Sequence, residues 1–218
     1  MFTGIIEEVG KVTKVRRVEG GCRMDIEASL VLEGTKPGDS VCVDGVCLTV
    51  EELDNKRFVC FASTETLEVT TLETVRSGRE TNLERALAFG DRMGGHLVSG
   101  HVEALGTILA LDRDGESTTL VVGFPNEFNP FAVRKGSVAV DGISLTISNC
   151  ERNRFQVAVI PETFEKTTLR LKRQGDSVNL EPDLILKYVR SAVESMAGTK
   201  SDSGLTLEKL MKSGFTAG

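Results

Sequence analysis

Residues 40–50, SVCVDGVCLTV, return at 137–147 as SVAVDGISLTI, with seven of the eleven positions identical. The offset is 97, and it holds elsewhere. ETLEVTTL (65–72) faces ETFEKTTL (162–169), and NLE at 82–84 faces NLE at 179–181. The starts agree at an offset of 96: MFTGIIEEVG (1–10) against LVSGHVEALG (97–106), which aligns Gly4, Glu7 and Gly10 with Gly100, Glu103 and Gly106. This period is too long for solenoid repeats of about 20–50 residues and fits a whole domain. The chain therefore reads as two tandem copies of one unit of roughly 90 residues, with a tail. The first copy is placed at 1–94, the second at 95–183 and the tail at 184–218. The junction falls near GDRMGG (90–95). No Pro- or Ser-rich linker separates the copies, so close packing is expected.

Each copy reads as short strands. GKVTKVRRV (10–18), CRMDIEA (22–28), SVCVDGVCLTVEEL (40–53) and RFVCFAS (57–63) are rich in β-branched and aromatic residues and often alternate apolar with polar. Turn signals separate them at EGG (19–21), KPGD (36–39) and LDNK (53–56). In the second copy, residues 106–124 read as a hairpin closed at Asp114-Gly115. Five or six short strands in so few residues predict a small closed barrel in each copy, and hence an all-β fold. ETLEVTTLETV and ETFEKTTLRL each have room for one short helical turn.

The tail differs. Over 184–197, Ile185, Tyr188, Val189, Ala192, Val193 and Met196 share one face at helical spacing, with Pro182 before and Gly198 after as start and stop signals. Two readings stand: a helix packed on its own barrel, or a helix that joins copies of the chain. Beyond it, TKSDSG is a polar connector, and 205–215 reads as a second short helix or a disordered end.

Composition narrows the function. A net charge of −6 without a basic patch argues against nucleic-acid binding. No apolar run reaches the 18–20 residues of a membrane helix, and the start lacks the basic region of a signal peptide. The five cysteines (Cys22, Cys42, Cys47, Cys60, Cys150) are odd in number and form no C-x-x-C pair. Free thiols in the cytoplasm and no metal site are the expectation. No G-x-G-x-x-G occurs, and GHLVSGH lacks the lysine and the following Ser or Thr of a phosphate loop.

The twin segments DGVCLT (44–49) and DGISLT (141–146) admit two readings. An Asp-Gly pair suits a tight turn, which makes the match architectural. Alternatively they line two similar pockets, as a reaction between two copies of one substrate would need. The copies differ there at one chemical position, where Cys47 faces Ser144. The only histidines, His96 and His101, lie five apart, the wrong spacing for one helix face, and no carboxylate or thiol cluster completes a metal shell. They read as buried structural histidines or as proton-transfer groups at a site between the copies.

Taken together, MFTGI, DGVCLTV, GGHLVSGH, KGSVAVDGISLT, IPET and NLEPD, in this order over residues 1–197, resemble the riboflavin synthase family built from two lumazine-binding repeats. The resemblance implies two tandem Greek-key β-barrels, a C-terminal helix and a homotrimer held by that helix. It implies dismutation of two 6,7-dimethyl-8-ribityllumazine molecules to riboflavin and 5-amino-6-(D-ribitylamino)uracil, without metal or redox cofactor. Some such enzymes associate with a lumazine synthase shell. The alternative is a non-catalytic lumazine- or flavin-binding protein of the antenna type, which shares the double-barrel pattern.

The resemblance also implies site residues. Cys47, Ser144, His101, His96 and Asp183 are expected nearest the chemistry, with Phe2 against the rings. The first-barrel pocket is expected to use Gly4, Ile5 and Ile6; Cys47, Leu48 and Thr49; Phe61, Ala62, Ser63, Thr64, Glu65 and Thr66; and His101, Val102 and Glu103. The second-barrel pocket is expected to use Lys135; Ser144, Leu145 and Thr146; and Ala158, Val159, Ile160, Pro161, Glu162 and Thr163. The site is expected to join the first barrel of one subunit to the second barrel of another.

Overall fold

The computed structural model describes residues 1–115 and 117–202. In the first copy, β1 (Glu8–Val18), β2 (Gly21–Glu27), β3 (Ser40–Val43), β4 (Val46–Leu53), β5 (Arg57–Ser63) and β6 (Glu80–Arg85) close into a barrel in the order β1-β2-β5-β4-β3-β6. In the second, β7 (Ala104–Asp114), β8 (Ser117–Gly123), β9 (Ser137–Val140), β10 (Ile143–Glu151), β11 (Arg154–Val159) and β12 (Ser177–Pro182) close in the same cyclic order. β5 returns to lie beside β2, which is the Greek-key path. The run 40–53 is thus two strands, because Asp44 and Gly45 take φ of +47° and +83° and fold it into a two-residue hairpin. Short helices α1 (Thr64–Glu68) and α2 (Pro161–Lys166), each followed by a 3-10 turn, occupy the two E-T-x-E-x-T-T-L segments.

Period-two alternation sets which side chains fill each barrel. In β4, Val46, Leu48 and Val50 are buried in the first core with Met24, Ile26, Phe58 and Leu83. Their neighbours Cys47 and Thr49 point outward. In β10, Ile143, Leu145 and Ile147 fill the second core with Ile108, Leu120, Phe155 and Leu180, and Ser144 and Thr146 point outward.

The repeated motifs join the barrels. The two Asp-Gly turns touch: a Cβ on Gly45 would stand 2.8 Å from the Gly142 nitrogen, and one on Gly142 would stand 2.8 Å from the Gly45 nitrogen. Around them runs a reciprocal network. Asn82 Nδ2 donates to Asp141 O (2.9 Å), and its Oδ1 accepts from Thr168 N–H (2.8 Å). Asn179 Nδ2 donates to Asp44 O (2.7 Å), and its Oδ1 accepts from Thr71 N–H (2.8 Å). Buried amides left without these partners would each cost about 1–3 kcal/mol, which ties NLE and the T-T pair to each other across the copies. The aspartates are paired too, Asp44 with Arg79 (2.8 Å) and Asp141 with Lys172 (2.7 Å). The Asp-Gly half of each twin turn is therefore architectural.

The leading segments of the two copies cross. Phe2 and Val98 form an antiparallel bridge, with N–H to O distances of 2.7 and 3.1 Å. Beyond it Ile6 packs on the second barrel's core, and Val102 packs on the first's.

The tail is a separate unit. It carries α3 (Leu184–Asp202), which runs past the stop expected at Gly198. Ile185, Tyr188, Val189, Val193 and Met196 are exposed in the single chain. The readings for 205–215 lie outside the described residues. No described helix is long and apolar enough to cross a membrane.

Candidate functional site

Each barrel has one seam that opens. The β4–β5 ladder runs from Leu53–Phe58 to Val50–Cys60 and stops. β4 continues to Val46 along β3, while β5 continues to Ser63 along β2, so the strands part. The exposed edge of β4 is met by the second copy's leading segment, where Cys47 N–H donates to Gly100 O (2.9 Å). Around this first cleft, Cys47, Phe61, Ser63, Thr66 and Val102 are half-buried, and Thr49, Thr64, Glu65, His101 and Glu103 are exposed. The side chains of Leu48 and Ala62 turn into the core, leaving their backbone as their only offering to a ligand.

The second barrel repeats this construction. The β10–β11 ladder ends at Ile147–Val157, and Ser144 N–H donates to Gly4 O (2.8 Å). Ser144, Ile6 and Thr163 are half-buried there, and Ile5, Lys135, Thr146, Ala158, Ile160, Pro161 and Glu162 are exposed. Leu145 and Val159 point into the core. Two strands that part over an apolar floor leave a slot where a flat heterocycle can lie with backbone groups at its edge and a polyol chain outside.

Two expectations need correction. Gly4, Ile5 and Ile6 line the second cleft, not the first, because the leading segments cross. Phe2 is fully buried with Cys42, Val98 and Ala139 in the cluster between the barrels, so it has no free face for a ring.

Two carboxylates missed in the sequence hold the crossing segments. Glu84 accepts from Thr3 N–H and Thr3 Oγ1 (both 2.6 Å) and from Gly4 N–H (3.0 Å). Glu181 accepts from Ser99 N–H (2.6 Å), Ser99 Oγ (2.8 Å) and Gly100 N–H (2.9 Å). Burial pushes both carboxyls above the usual range, and these hydrogen bonds oppose it. The signal was present in NLE, whose glutamate repeats with its asparagine.

The clefts differ chemically. His96 N–H donates to Thr3 O (3.1 Å), which brings His96 Nδ1 to 2.7 Å from Ser144 Oγ. The ring is buried and its Nε2 has no protein partner. Burial lowers the His96 pKa, and the charge of Asp183 opposes the shift. The counterparts by offset are Cys47 for Ser144 and Ala86 for Asp183, while His96 aligns ahead of Met1. The first cleft instead has His101 where the second has Ile5. A base, a hydroxyl and a carboxylate thus gather in the second cleft, and a thiol with an exposed imidazole in the first. Among the described residues no group of three His, Cys, Asp or Glu could hold a metal ion.

A cavity of about 910 Å³ lies elsewhere, over the first barrel beside the linking segment. It touches Thr3 and Ile5 but neither Cys47 nor Ser144, and its lining has five carboxylates against two arginines.

Comparison with known proteins agrees with this construction. A family described as the lumazine binding domain matches residues 3–86 and again 99–183. The chain is 37% identical over 215 residues to riboflavin synthase of Actinobacillus pleuropneumoniae, covering 99% of this chain and 100% of the relative. It is 42% identical over 199 residues to riboflavin synthase of Mycobacterium tuberculosis, covering 89% and 99%. Among solved structures, LumP complexed with riboflavin superposes with a TM-score of 0.78 at 20% identity, covering 84% of this chain and 99% of that one.

Proposed function

The chain belongs to the riboflavin synthase family of paired lumazine-binding domains, and from that membership and the two unlike clefts we propose which residues carry its reaction. It is an enzyme of riboflavin biosynthesis. Two 6,7-dimethyl-8-ribityllumazine molecules dismutate, one giving a four-carbon unit to the other, to yield riboflavin and 5-amino-6-(D-ribitylamino)uracil. One substrate sits in each kind of cleft. The molecule in the second cleft is the acceptor. Water hydrogen-bonded to Ser144 Oγ adds at its C7, and the proton passes through the Ser144 hydroxyl to His96 Nδ1. The charge of Asp183 favours the imidazolium that results. The first cleft holds the donor, whose C7 methyl is acidic because its anion spreads into the ring. Cys47 and His101 are the polar groups beside it. Stacking the two rings in reach of each other supplies much of the rate by orientation alone.

The assembly is a homotrimer in the cytoplasm, with the first cleft of one subunit facing the second cleft of the next. The exposed apolar side chains of α3 support this, since contact between subunits through that helix would cover them. The observation that carries the assignment of roles is the 2.7 Å His96–Ser144 hydrogen bond, which exists in one cleft only.

The test mixes the full chain with 6,7-dimethyl-8-ribityllumazine, without added cofactor and with EDTA, and follows riboflavin absorbance. One riboflavin per two lumazines consumed is expected. Tight binding without product would move the reading to an antenna-type binder.

Lys135 offers a separate check. It holds φ +68° at the place where the first copy has Gly38 at +97°, and the two donate equivalent 2.8 Å backbone hydrogen bonds, Lys135 N–H to Ile147 O in β10 and Gly38 N–H to Val50 O in β4. A lysine there costs roughly 1–2 kcal/mol of backbone strain, the kind retained at functional positions. Lys135→Gly is expected to leave thermal stability unchanged or up to about 1 kcal/mol higher, because relief of strain is offset by glycine's freedom when unfolded. Turnover is expected to fall at least tenfold. Undiminished turnover would remove Lys135 from the site.

A further inference from the structure

We propose that Cys47 is an oxidation site that Cys42 resolves, so that peroxide closes the first cleft reversibly with a Cys42–Cys47 disulfide. The two residues lie directly opposite each other in the β3–β4 hairpin. The turn has two residues, Asp44 and Gly45, so Val43–Val46 is the hydrogen-bonded pair and Cys42–Cys47 is the next, non-hydrogen-bonded one. Cys47 N–H accordingly points away from β3, to Gly100 O. Such pairs bring Cα atoms to about 4.5 Å, inside the range of about 4.4–6.8 Å that disulfides span. Both side chains leave the same outer face of the barrel and border the same cluster with Phe2 and Val98.

Their exposures divide the labour. Cys47 is half-buried and reachable through the cleft, whereas Cys42 is sealed between the barrels and burial holds its thiol well above the usual range. Cys42 therefore cannot meet an oxidant itself, but it can meet an oxidised Cys47. The thiolate of Cys47 attacks hydrogen peroxide, forming Cys47–SOH and releasing hydroxide. The Cys42 sulfur then displaces the hydroxyl, which leaves as water with the thiol proton. In sum, two thiols and one peroxide give one disulfide and two waters. The second copy has Ala139 opposite Ser144, so only the first cleft has this device.

This rests on the riboflavin synthase reading only for its consequence for turnover, because the disulfide itself is read without substrate. The full chain is treated with peroxide near stoichiometry. The proteolytic peptide holding both cysteines is then weighed, and its thiols are counted by alkylation. Expected are loss of two hydrogens, loss of both alkylatable thiols, and loss of riboflavin formation that dithiothreitol restores. Cys42→Ala places at 42 the residue that the second copy carries at 139, so folding and basal turnover are expected to persist. With peroxide raised to several equivalents, Cys47 in that variant should pass through sulfenic to sulfinic acid, consuming two peroxides, and dithiothreitol should restore less than a tenth of the activity, whereas wild type under the same treatment should still recover. Wild type that keeps two alkylatable thiols after losing activity would overturn the proposal. So would a Cys42→Ala variant that recovers as fully as wild type. A chain that forms the disulfide but never makes riboflavin would leave the pairing intact and refute the enzymatic reading instead.

Discussion

Replacing His96 by alanine is expected to lower kcat/KM by about 10²–10³, within the span that one positioned acid–base group supplies. The ring is buried, its Nδ1 lies 2.7 Å from Ser144 Oγ, and its Nε2 is left free of protein partners. Because both side chains serve one proton path, Ser144→Ala should cost a similar factor. The double variant should be little worse than either single one, since groups acting as a unit are not additive. The pH profile carries a second signature. Burial lowers the His96 pKa, so the base is neutral at pH 7, and activity should fall only when the pH drops below the ordinary histidine value of about 6.5. The sign for stability is the same. A folded-state pKa below the unfolded one gives stability that is present above the unfolded pKa and is lost as pH falls through the folded one. In His96→Ala the acid limb of kcat/KM should vanish while the fold persists by circular dichroism. A limb that survives in this variant, or a loss under threefold, would take the proton path away from His96.

The contrast between repeated and unrepeated residues explains how much of the fold was legible in the sequence. The polar residues and glycines repeated in DG, NLE and T-T hold the copies together. Asn82 and Asn179 grip the opposite T-T segments, the Asp-Gly turns abut, and Glu84 and Glu181 each hold three donors of a crossing segment. The proposed chemistry falls where the copies diverge, at Cys47 against Ser144 and Ala86 against Asp183. The barrels were legible because period-two alternation and Asp-Gly turns are local signals. The crossing of the leading segments was not, since nothing in MFTGII says which of two barrels of the same topology it will meet. That one ambiguity placed Gly4, Ile5 and Ile6 at the wrong cleft and Phe2 against a ring instead of between barrels. The helix end was misplaced for a milder reason: a single Gly198 weakens a helix by about 1 kcal/mol but need not end it.

The same crossing makes two glycines the most sensitive backbone positions of the site. Gly100 has φ +82°, and a Cβ there would stand 2.5 Å from Cys47 Cβ and 2.8 Å from Cys47 N. Gly4 has φ +77°, and its Cβ would stand 2.6 Å from Ser144 Cβ and 2.8 Å from Ser144 N. Neither neighbour can yield, because both contacts are with backbone or the first side-chain atom of a barrel strand. Alanine at either place should cost roughly 1–2 kcal/mol for the left-handed backbone and another 1–3 kcal/mol for the overlap. The segment can escape only by lifting from the strand, which breaks the 2.9 Å Cys47–Gly100 or the 2.8 Å Ser144–Gly4 hydrogen bond. Gly34→Ala separates the two costs, since Gly34 shares φ +77° with nothing within 4 Å of a Cβ. It should lose about 1 kcal/mol and leave the clefts alone. Each cleft of the wild type should take one riboflavin, so equilibrium titration should find two sites per chain. Gly100→Ala should abolish the first-cleft site and Gly4→Ala the second, each leaving one. Turnover should fall by about 10² or more in both, because bond formation needs a ring in each kind of cleft. Two intact sites in either variant would mean that the crossing segments do not shape the clefts. Loss of both sites in one variant would mean that the barrels respond to the crossing as one body rather than separately.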